Sequence, residues 1–228
     1  MLIFDVGMHN GDDTQYYLEK GGRVIGIEAI PDLCEKTRSR FAEQIRSGQL
    51  TILNVAVGEK NATEVSFFVN PAQPRMSSLT PSSKTEKQKI TIPMRTLSGI
   101  FGEFGSPHFV KIDIENYDHI VLKELRESNA LPSHLSVEAN SFKVVEELIR
   151  SGYSSFRLMH GHRVPRDFRQ HQIVTRDGKK AFSFRPLMSG PFGEDFSDPW
   201  TNTEIMLVNW LHRHTLQGPG YYDLHAKF

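Results

Sequence analysis

One cysteine, Cys34, stands in a chain of 228 residues. No intramolecular disulfide can form, and a reducing compartment is the default expectation. No apolar run approaches the ~18 residues that a membrane-spanning helix requires. The opening residues, MLIFDVGMHNG, carry Asp5 inside the apolar stretch and no basic flank, so no signal peptide is expected. Neither sign of charge prevails: 27 Lys and Arg balance 27 Asp and Glu, leaving no global field for nucleic acid or an anionic membrane. Two phosphate-binding signatures are missing as well. There is no Gly-Lys-Ser/Thr loop, and a dinucleotide fingerprint beginning at Gly7 would need glycine where His9 and Asp12 stand. These absences predict a cytoplasmic protein with neither nucleic acid nor membrane as partner. Homo-oligomerisation stays open.

What is present fits a soluble α/β domain: 38% of the residues are hydrophobic and 24% charged. LIFDV at 2–6 is a short apolar run of the kind buried on both faces of a parallel sheet. Asp12 or Asp13 can cap a following helix that Gly21-Gly22 ends. RVIGIEA at 23–29 predicts a second strand, residues 31–48 a helix with Pro31 near its start, and LTILNVAVG at 50–58 a third strand. Strands alternating with helices predict right-handed crossovers in a parallel sheet.

Strand-like runs at 64–70 and 88–94 flank a connector rich in Pro, Ser and Thr, expected to be a loop. A helix at 95–104, a strand at 108–116, a helix at 117–128, a strand at 133–140 and a helix to Gly152 follow. Beyond 153 come a hairpin over 171–184 with Asp177-Gly178 at its turn, a helix over 202–216, and loops at 187–200 and 218–228. The organisation expected is one domain over 1–228. A cofactor-binding core spans 1–152 with a loop insertion at 61–95, and a substrate-covering elaboration spans 153–228.

The chemistry begins at Asp5-x-Gly7-x-x-x-Gly11, between a strand and a helix N-terminus. Glu28 ends the next strand 28 − 5 = 23 residues later, about one β-α-β step, where an acid accepts ribose hydroxyls. Without a phosphate cradle, the helix N-terminus can receive a carboxylate instead. A ligand with ribose, carboxylate and ammonium but no phosphate is S-adenosylmethionine.

FDVGMHNGDDTQYYL, NVAVGE, TLSGIF and above all VKIDIENYDHIVLKEL resemble the FkbM family of S-adenosylmethionine-dependent methyltransferases over roughly residues 2–150. The resemblance implies a class I methyltransferase fold, α/β and Rossmann-like, with a doubly wound, mostly parallel seven-stranded sheet. It also implies that Asp5, Gly7, Asn10, Gly11, Thr14, Glu28, Ala56 and Asp113 lie near the cofactor. Met8-His9 replace the family's usual Ala-Asn, and Asn116 replaces a glycine.

Asp113 and Glu115 end one central strand; Glu138 and Asn140 end the next, where ligands bind in open α/β sheets. Two readings compete. Asp113, Glu138 and Asn140 are hard oxygen ligands that could hold Mg²⁺ or Ca²⁺ and so lower the acceptor hydroxyl's pKa. In the preferred reading the carboxylates act alone, by hydrogen bonds to substrate and methionine ammonium. Candidate bases are then Asp113, Glu115 and His119. Ser77 and Ser78, in the middle connector, are candidates for substrate contact, along with Glu138 and Asn140. His160, His162, His212 and His214 are expected to be solvated, and Trp200, Trp210, Tyr221 and Tyr222 to be mainly packing residues. The activity predicted is methyl transfer to a hydroxyl, and the resemblance implies that the acceptor is a small-molecule or glycan substrate: a sugar, a glycan or a polyketide-like molecule. The alternatives are an NAD(P)-dependent reductase and a non-catalytic S-adenosylmethionine-binding module.

Overall fold

A computed structural model describes residues 1–81, 88–169, 171–175, 177–196, 199–216 and 221–228. Its first half alternates as the apolar runs dictate. β1 (Leu2–Val6), α1 (Asp12–Glu19) and β2 (Arg23–Ile27) are followed by α2 (Pro31–Arg40), α3 (Ala42–Arg46) and β3 (Leu50–Leu53). Next come β4 (Ala56–Val57), β5 (Ala62–Val69), β6 (Gln88–Arg95) and α4 (Leu97–Phe104). β7 (Phe109–Ile112), α5 (Asp118–Glu127), β8 (His134–Glu138) and α6 (Phe142–Arg150) continue the alternation. The last part holds β9 (Ser155–His160), α7 (Val164–Asp167), the hairpin β10 (Gln172–Thr175) and β11 (Gly178–Ala181), α8 (Thr203–Leu216) and β12 (Tyr222–Lys227).

Seven strands form the main sheet in the order β3-β2-β1-β7-β8-β12-β9. β12 runs antiparallel to both neighbours, and the remaining pairs are parallel. β1 and β7 lie together at the centre, where the strand order reverses, so their carboxyl ends open the crevice in which α/β sheets bind ligands. β4, β6 and β5 make a separate three-stranded sheet beside that crevice.

Several expected elements divide or shorten. The single helix predicted over 31–48 breaks at Phe41, whose ring turns into the core against Gly11. The strand predicted over 50–58 splits at Asn54, whose amide donates to the carbonyls of Glu28 and Ala29. That tie sends β4 into the small sheet. Strands predicted to reach 29, 116 and 140 stop at 27, 112 and 138, because the chain must leave the sheet to wall the crevice. Glu115 and Asn116 both turn left-handed there (φ 45° and 67°).

The tail holds the main surprise. Residues expected to form a loop make β12, inserted between β8 and β9. Two of the sheet's seven strands therefore come from beyond residue 152. The middle connector keeps a short 3₁₀ turn, Pro74–Met76, and a bridge from Phe68 to Ser78, while its residues 82–87 lie outside the described residues.

Candidate active site

The loop after β1 is shaped by one close approach. Gly7 adopts φ +79°, and a Cβ there would stand 1.8 Å from the carbonyl oxygen of Asp113 at the end of β7. Only glycine fits that position. The amides of Gly7 and Met8 both donate to Ile27 O (2.9 and 3.0 Å), tying the loop to the end of β2. Glu28, the next residue, completes the brace. Its Oε2 accepts from His9 N and its Oε1 from Ile30 N, each at 2.8 Å. Burial pushes the Glu28 carboxyl above its ordinary value, while these amide bonds pull it back down. Each oxygen keeps a further lone pair for a ligand hydroxyl.

Two chambers meet over this loop. The first, about 620 Å³ counting volume open to solvent, is walled mainly by apolar side chains, including Ile27, Ile30, Val57, Phe67 and Ile114, with Glu28 on one side. The second, about 700 Å³ on the same measure, is polar and contains Asp13, Lys111, Glu115, Glu138 and Asp223 in its wall. Gly7, His9, Arg75 and Asp113 belong to both, so they mark the junction.

Lys111 is the hub of the polar chamber. It is buried in β7, with Nζ 3.2 Å from Asp113 Oδ2, 3.7 Å from Asp13 Oδ2 and 3.8 Å from Asp5 Oδ1. Burial alone would discharge the ammonium, yet the surrounding carboxylates outweigh it and lift the lysine well above its usual value. The acids around it are raised as well, towards their neutral form. Burial raises Asp13 to about 8, with Lys111 opposing. Burial and the neighbouring Asp113 raise Asp223 to about 7. Glu138, opposite Asp223 in the β8–β12 register, is raised by burial and by the acids around it. Its Oε2 is buried with no hydrogen-bond partner among the described residues.

The residues named from sequence fall into three groups. Glu28, Ala56, Ser77 and Asp113 line the first chamber, and Asn10, Glu115 and Glu138 the second. Asp5, Gly11 and Thr14 lie beneath, as supports. Thr14 Oγ1 donates to Asp5 Oδ2 at 2.6 Å, and Gly11 packs against Phe41. Three residues lie elsewhere. His119 sits on α5 among the charges of Lys143 and Glu147 on α6, and lines neither chamber. Asn140 is exposed because β8 has already ended. Ser78 donates to Thr80 O instead of facing the cavity. Ser77, although in the wall, accepts from Asn70 N.

With Asn140 outside, the trio proposed to hold Mg²⁺ or Ca²⁺ is not assembled. Among the described residues no group of three His, Cys, Asp or Glu side chains is placed to bind a metal ion. The Lys111 ammonium takes the cationic place beside Asp113. The N-terminus of α1 does not present itself to a ligand carboxylate either. Asp12 and Asp13 occupy its first turn, Asp12 paired with Arg40 and Arg185 and Asp13 accepting from Ser189 N.

Sequence reasoning missed Lys111, Asp13, Arg75 and Asp223. Lys111 was detectable as a lone charge inside the buried strand FVKI. Asp223 was not, since it matters only once β12 lies beside β8. Of the four tail aromatics, only Tyr221 lines a chamber; Trp210 donates to Ala139 O at 2.9 Å from α8.

The first chamber fits an adenosine: an apolar slot, a carboxylate with spare lone pairs at its rim, and a glycine cradle open towards the polar side. Fold and site together define a class I S-adenosylmethionine-dependent methyltransferase. The chain belongs to the FkbM methyltransferase family, whose domain model, the methyltransferase FkbM domain, matches residues 5–162. A probable ribosomal RNA small subunit methyltransferase A from Methanospirillum hungatei is 38% identical over 52 residues, 23% of this chain and only 20% of that protein. The chain therefore spans about a fifth of that curated relative's length. An S-adenosylmethionine-dependent methyltransferase from Archaeoglobus fulgidus superposes with a TM-score of 0.44 at 11% identity, covering 100% of this chain and 86% of that one. Precorrin-6y C5,15-methyltransferase from Geobacter metallireducens gives 0.43 at 11% identity, covering 99% and 79%.

Proposed function

We propose that this methyltransferase transfers its methyl group to a hydroxyl oxygen of a sugar, glycan or polyketide-like small molecule. The supporting observation is the second chamber's wall. It gathers Asp13, Asp113, Glu115, Glu138 and Asp223, whose carboxyl groups offer many acceptor oxygens to hydroxyls and a donor wherever burial keeps a proton on. Such a wall suits an acceptor rich in hydroxyls, which favours the sugar or glycan within that class.

S-adenosylmethionine supplies an electrophilic methyl on a sulfonium. The protein's part is to bind, align and take a proton. Glu28 holds the ribose hydroxyls, and the apolar slot excludes water from the adenine. Gly7 allows the backbone to approach at the junction, and Asp113 faces the ammonium there. Arg75 is the cation left at the junction for the methionine carboxylate. Glu138 and Asp223 orient the acceptor hydroxyl and receive its proton. A carboxylate near pH 7, as Asp223 is, suits general-base work at neutral pH. Lys111 keeps the ionised acids together throughout.

The experiment is a hydroxyl-acceptor screen with the purified protein, followed by Asp223→Asn and Glu138→Gln on whichever acceptor turns over. General-base loss costs ~10²–10⁴ in kcat, with S-adenosylhomocysteine affinity retained. Turnover confined to amine or carbon acceptors would sink the hydroxyl assignment.

A further inference from the structure

Of the four residues that wall both chambers, Gly7, His9, Arg75 and Asp113, only His9 has a side chain to which the mechanism above gives no part. The loop fixes its place from two sides. His9 N donates to Glu28 Oε2 at 2.8 Å, and His9 O accepts from Thr37 Oγ1 at 3.3 Å. The residue adopts φ +52°, a left-handed conformation that histidine takes more readily than most side chains. Its neighbours turn away: Met8 is buried against Gly26, and the Asn10 amide donates to Asp12 Oδ2 at 3.0 Å.

Charged groups surround this imidazole on several elements. Glu28 follows β2, Arg75 rides on the 74–76 turn, Lys111 stands on β7 and Asp113 follows it; Asp12 and Asp13 open α1. Burial, Arg75 and Lys111 lower the His9 imidazole below its ordinary value, while a hydrogen bond to the Asn10 side chain and the charge of Asp113 oppose them. The ring is therefore neutral at pH 7, with a donor on one nitrogen and a lone pair on the other.

The sulfur of the cofactor is bonded both to the adenosine and to the methyl group that leaves. With the adenosine in the first chamber and the acceptor in the second, that sulfur has to lie where the two chambers meet. Gly7 offers it no side chain, Arg75 is set against the methionine carboxylate and Asp113 against the ammonium. His9 is the member of the four left to face the sulfur. In S-adenosylmethionine the sulfur is a cation; in S-adenosylhomocysteine it is a neutral thioether between the same two tails. A neutral imidazole accepts either, and its lone pair favours the cation. An imidazolium repels the cation and leaves the thioether alone.

We propose that His9 discriminates the charged cofactor from its demethylated product, because a proton on His9 and a sulfonium at the junction exclude one another. The coupling is reciprocal: acid turns the site towards product, and cofactor binding drives the proton off His9. Two unit charges ~6–8 Å apart at a half-buried site repel by enough to change affinity ~10-fold or more. The proposal rests on the assignment of the first chamber to the adenosine and the second to the acceptor, and the test keeps the two separable.

Proton–carbon NMR of the full chain follows the imidazole signals between pH 8 and pH 5 with saturating S-adenosylhomocysteine and with saturating S-adenosylmethionine. The His9 signal is the one missing from His9→Asn, in which asparagine also tolerates the left-handed backbone. The His9 midpoint is expected ~1 pH unit or more lower with S-adenosylmethionine, one unit being tenfold in affinity. Calorimetry at both ends of that range gives the ratio of the two affinities, which should shift further towards S-adenosylhomocysteine in acid for the parent protein than for His9→Asn. Asp13, Glu138 and Asp223 titrate in both proteins, so the difference belongs to His9, and a damaged fold would lower both affinities without changing their ratio. Equal midpoints in the two complexes, or an equal shift of the ratio in the two proteins, overturns the proposal. So does a His9 ring that stays neutral down to pH 5 in the S-adenosylhomocysteine complex. Glu28→Ala separates the two readings. If it weakens S-adenosylhomocysteine while the His9 midpoints are equal, His9 alone falls; if it has no effect, the adenosine lies elsewhere and both fall.

Discussion

The first chamber is drawn mostly from residues 6–79 and the turn after β7, whereas the second is gathered from Gly7 through Asp223. The first is lined by apolar side chains and fixed by backbone amides on one carboxylate. The second is lined by acids arranged round a single buried lysine. One is specified by neighbours in sequence and holds a ligand through shape. The other exists only after the sheet has closed, and it stores like charges that are costly to bury. Cofactor affinity and acceptor chemistry should therefore break separately, and the stability cost should fall on the second chamber.

The largest effect is expected at its hub. Lys111→Met removes the cation within 4 Å of Asp5, Asp13 and Asp113 and leaves buried acids uncompensated. Breaking such a cluster costs ~3–5 kcal/mol, read by urea unfolding. A loss under ~1 kcal/mol would mean that Lys111 does not hold the charges of the polar chamber together, and the contrast between chambers would lose its basis.

Buried acids also set the pH dependence. Asp13 (about 8), Asp118 (about 7) and Asp223 (about 7) are all raised, chiefly by burial. The folded state thus binds more protons than the unfolded one, and the stability they contribute is lost as pH rises through 7–8. His134 (about 3) and His225 (about 4), lowered by burial, act in the opposite sense and only below ~6.5. The unfolding free energy, and with it the melting temperature, should fall between pH 6.5 and 8.5, by at most ~1.4 kcal/mol per pH unit for each proton difference, and level off as the acids ionise. Asp223→Asn should flatten that slope. A rise over this range would contradict the assignment of buried, proton-holding acids.

Next in size is the first chamber's brace. Glu28→Ala strips acceptors from His9 N and Ile30 N as well as from the ribose hydroxyls that Glu28 is proposed to hold. Each lost bond of this kind costs ~1–3 kcal/mol, so S-adenosylhomocysteine should bind ~10–100-fold more weakly. Unaltered cofactor affinity would remove Glu28 from the site.

How much of this was legible follows the same division. Gly7 and Glu28 could be read because a strand, a glycine turn and an acid one β-α-β step away are local patterns. The parallel core from β1 to β8 followed from apolar runs alternating with helices. β12 was hidden because Asp223 and His225, both buried, give YDLHAK the look of a loop. Asp223 could not be paired with Glu138 until that strand had a register. His119 and Asn140 were misplaced for a related reason: strand ends were set two to four residues too late, which moves a side chain from the crevice to the helix behind it.

The smallest effect is expected where the chambers join. Arg75 rides on the turn Pro74–Met76, lines both cavities, and pairs with no carboxylate among the described residues. The other cation in the wall of the polar chamber beside it, Lys111, already faces three acids. With the methionine ammonium proposed to face Asp113, the cofactor's carboxylate would come close to it and be repelled by the rest of the wall, so Arg75 is the group that can offset it. Arg75→Ala should weaken S-adenosylhomocysteine ~10-fold, the loss of one charge-assisted contact on a half-open site. 5′-Methylthioadenosine has no amino-acid tail, and its affinity should not move. Equal losses for both ligands would show that Arg75 only shapes the turn over the adenosine slot. No loss for either would place the methionine carboxylate elsewhere and leave Arg75 to the acceptor.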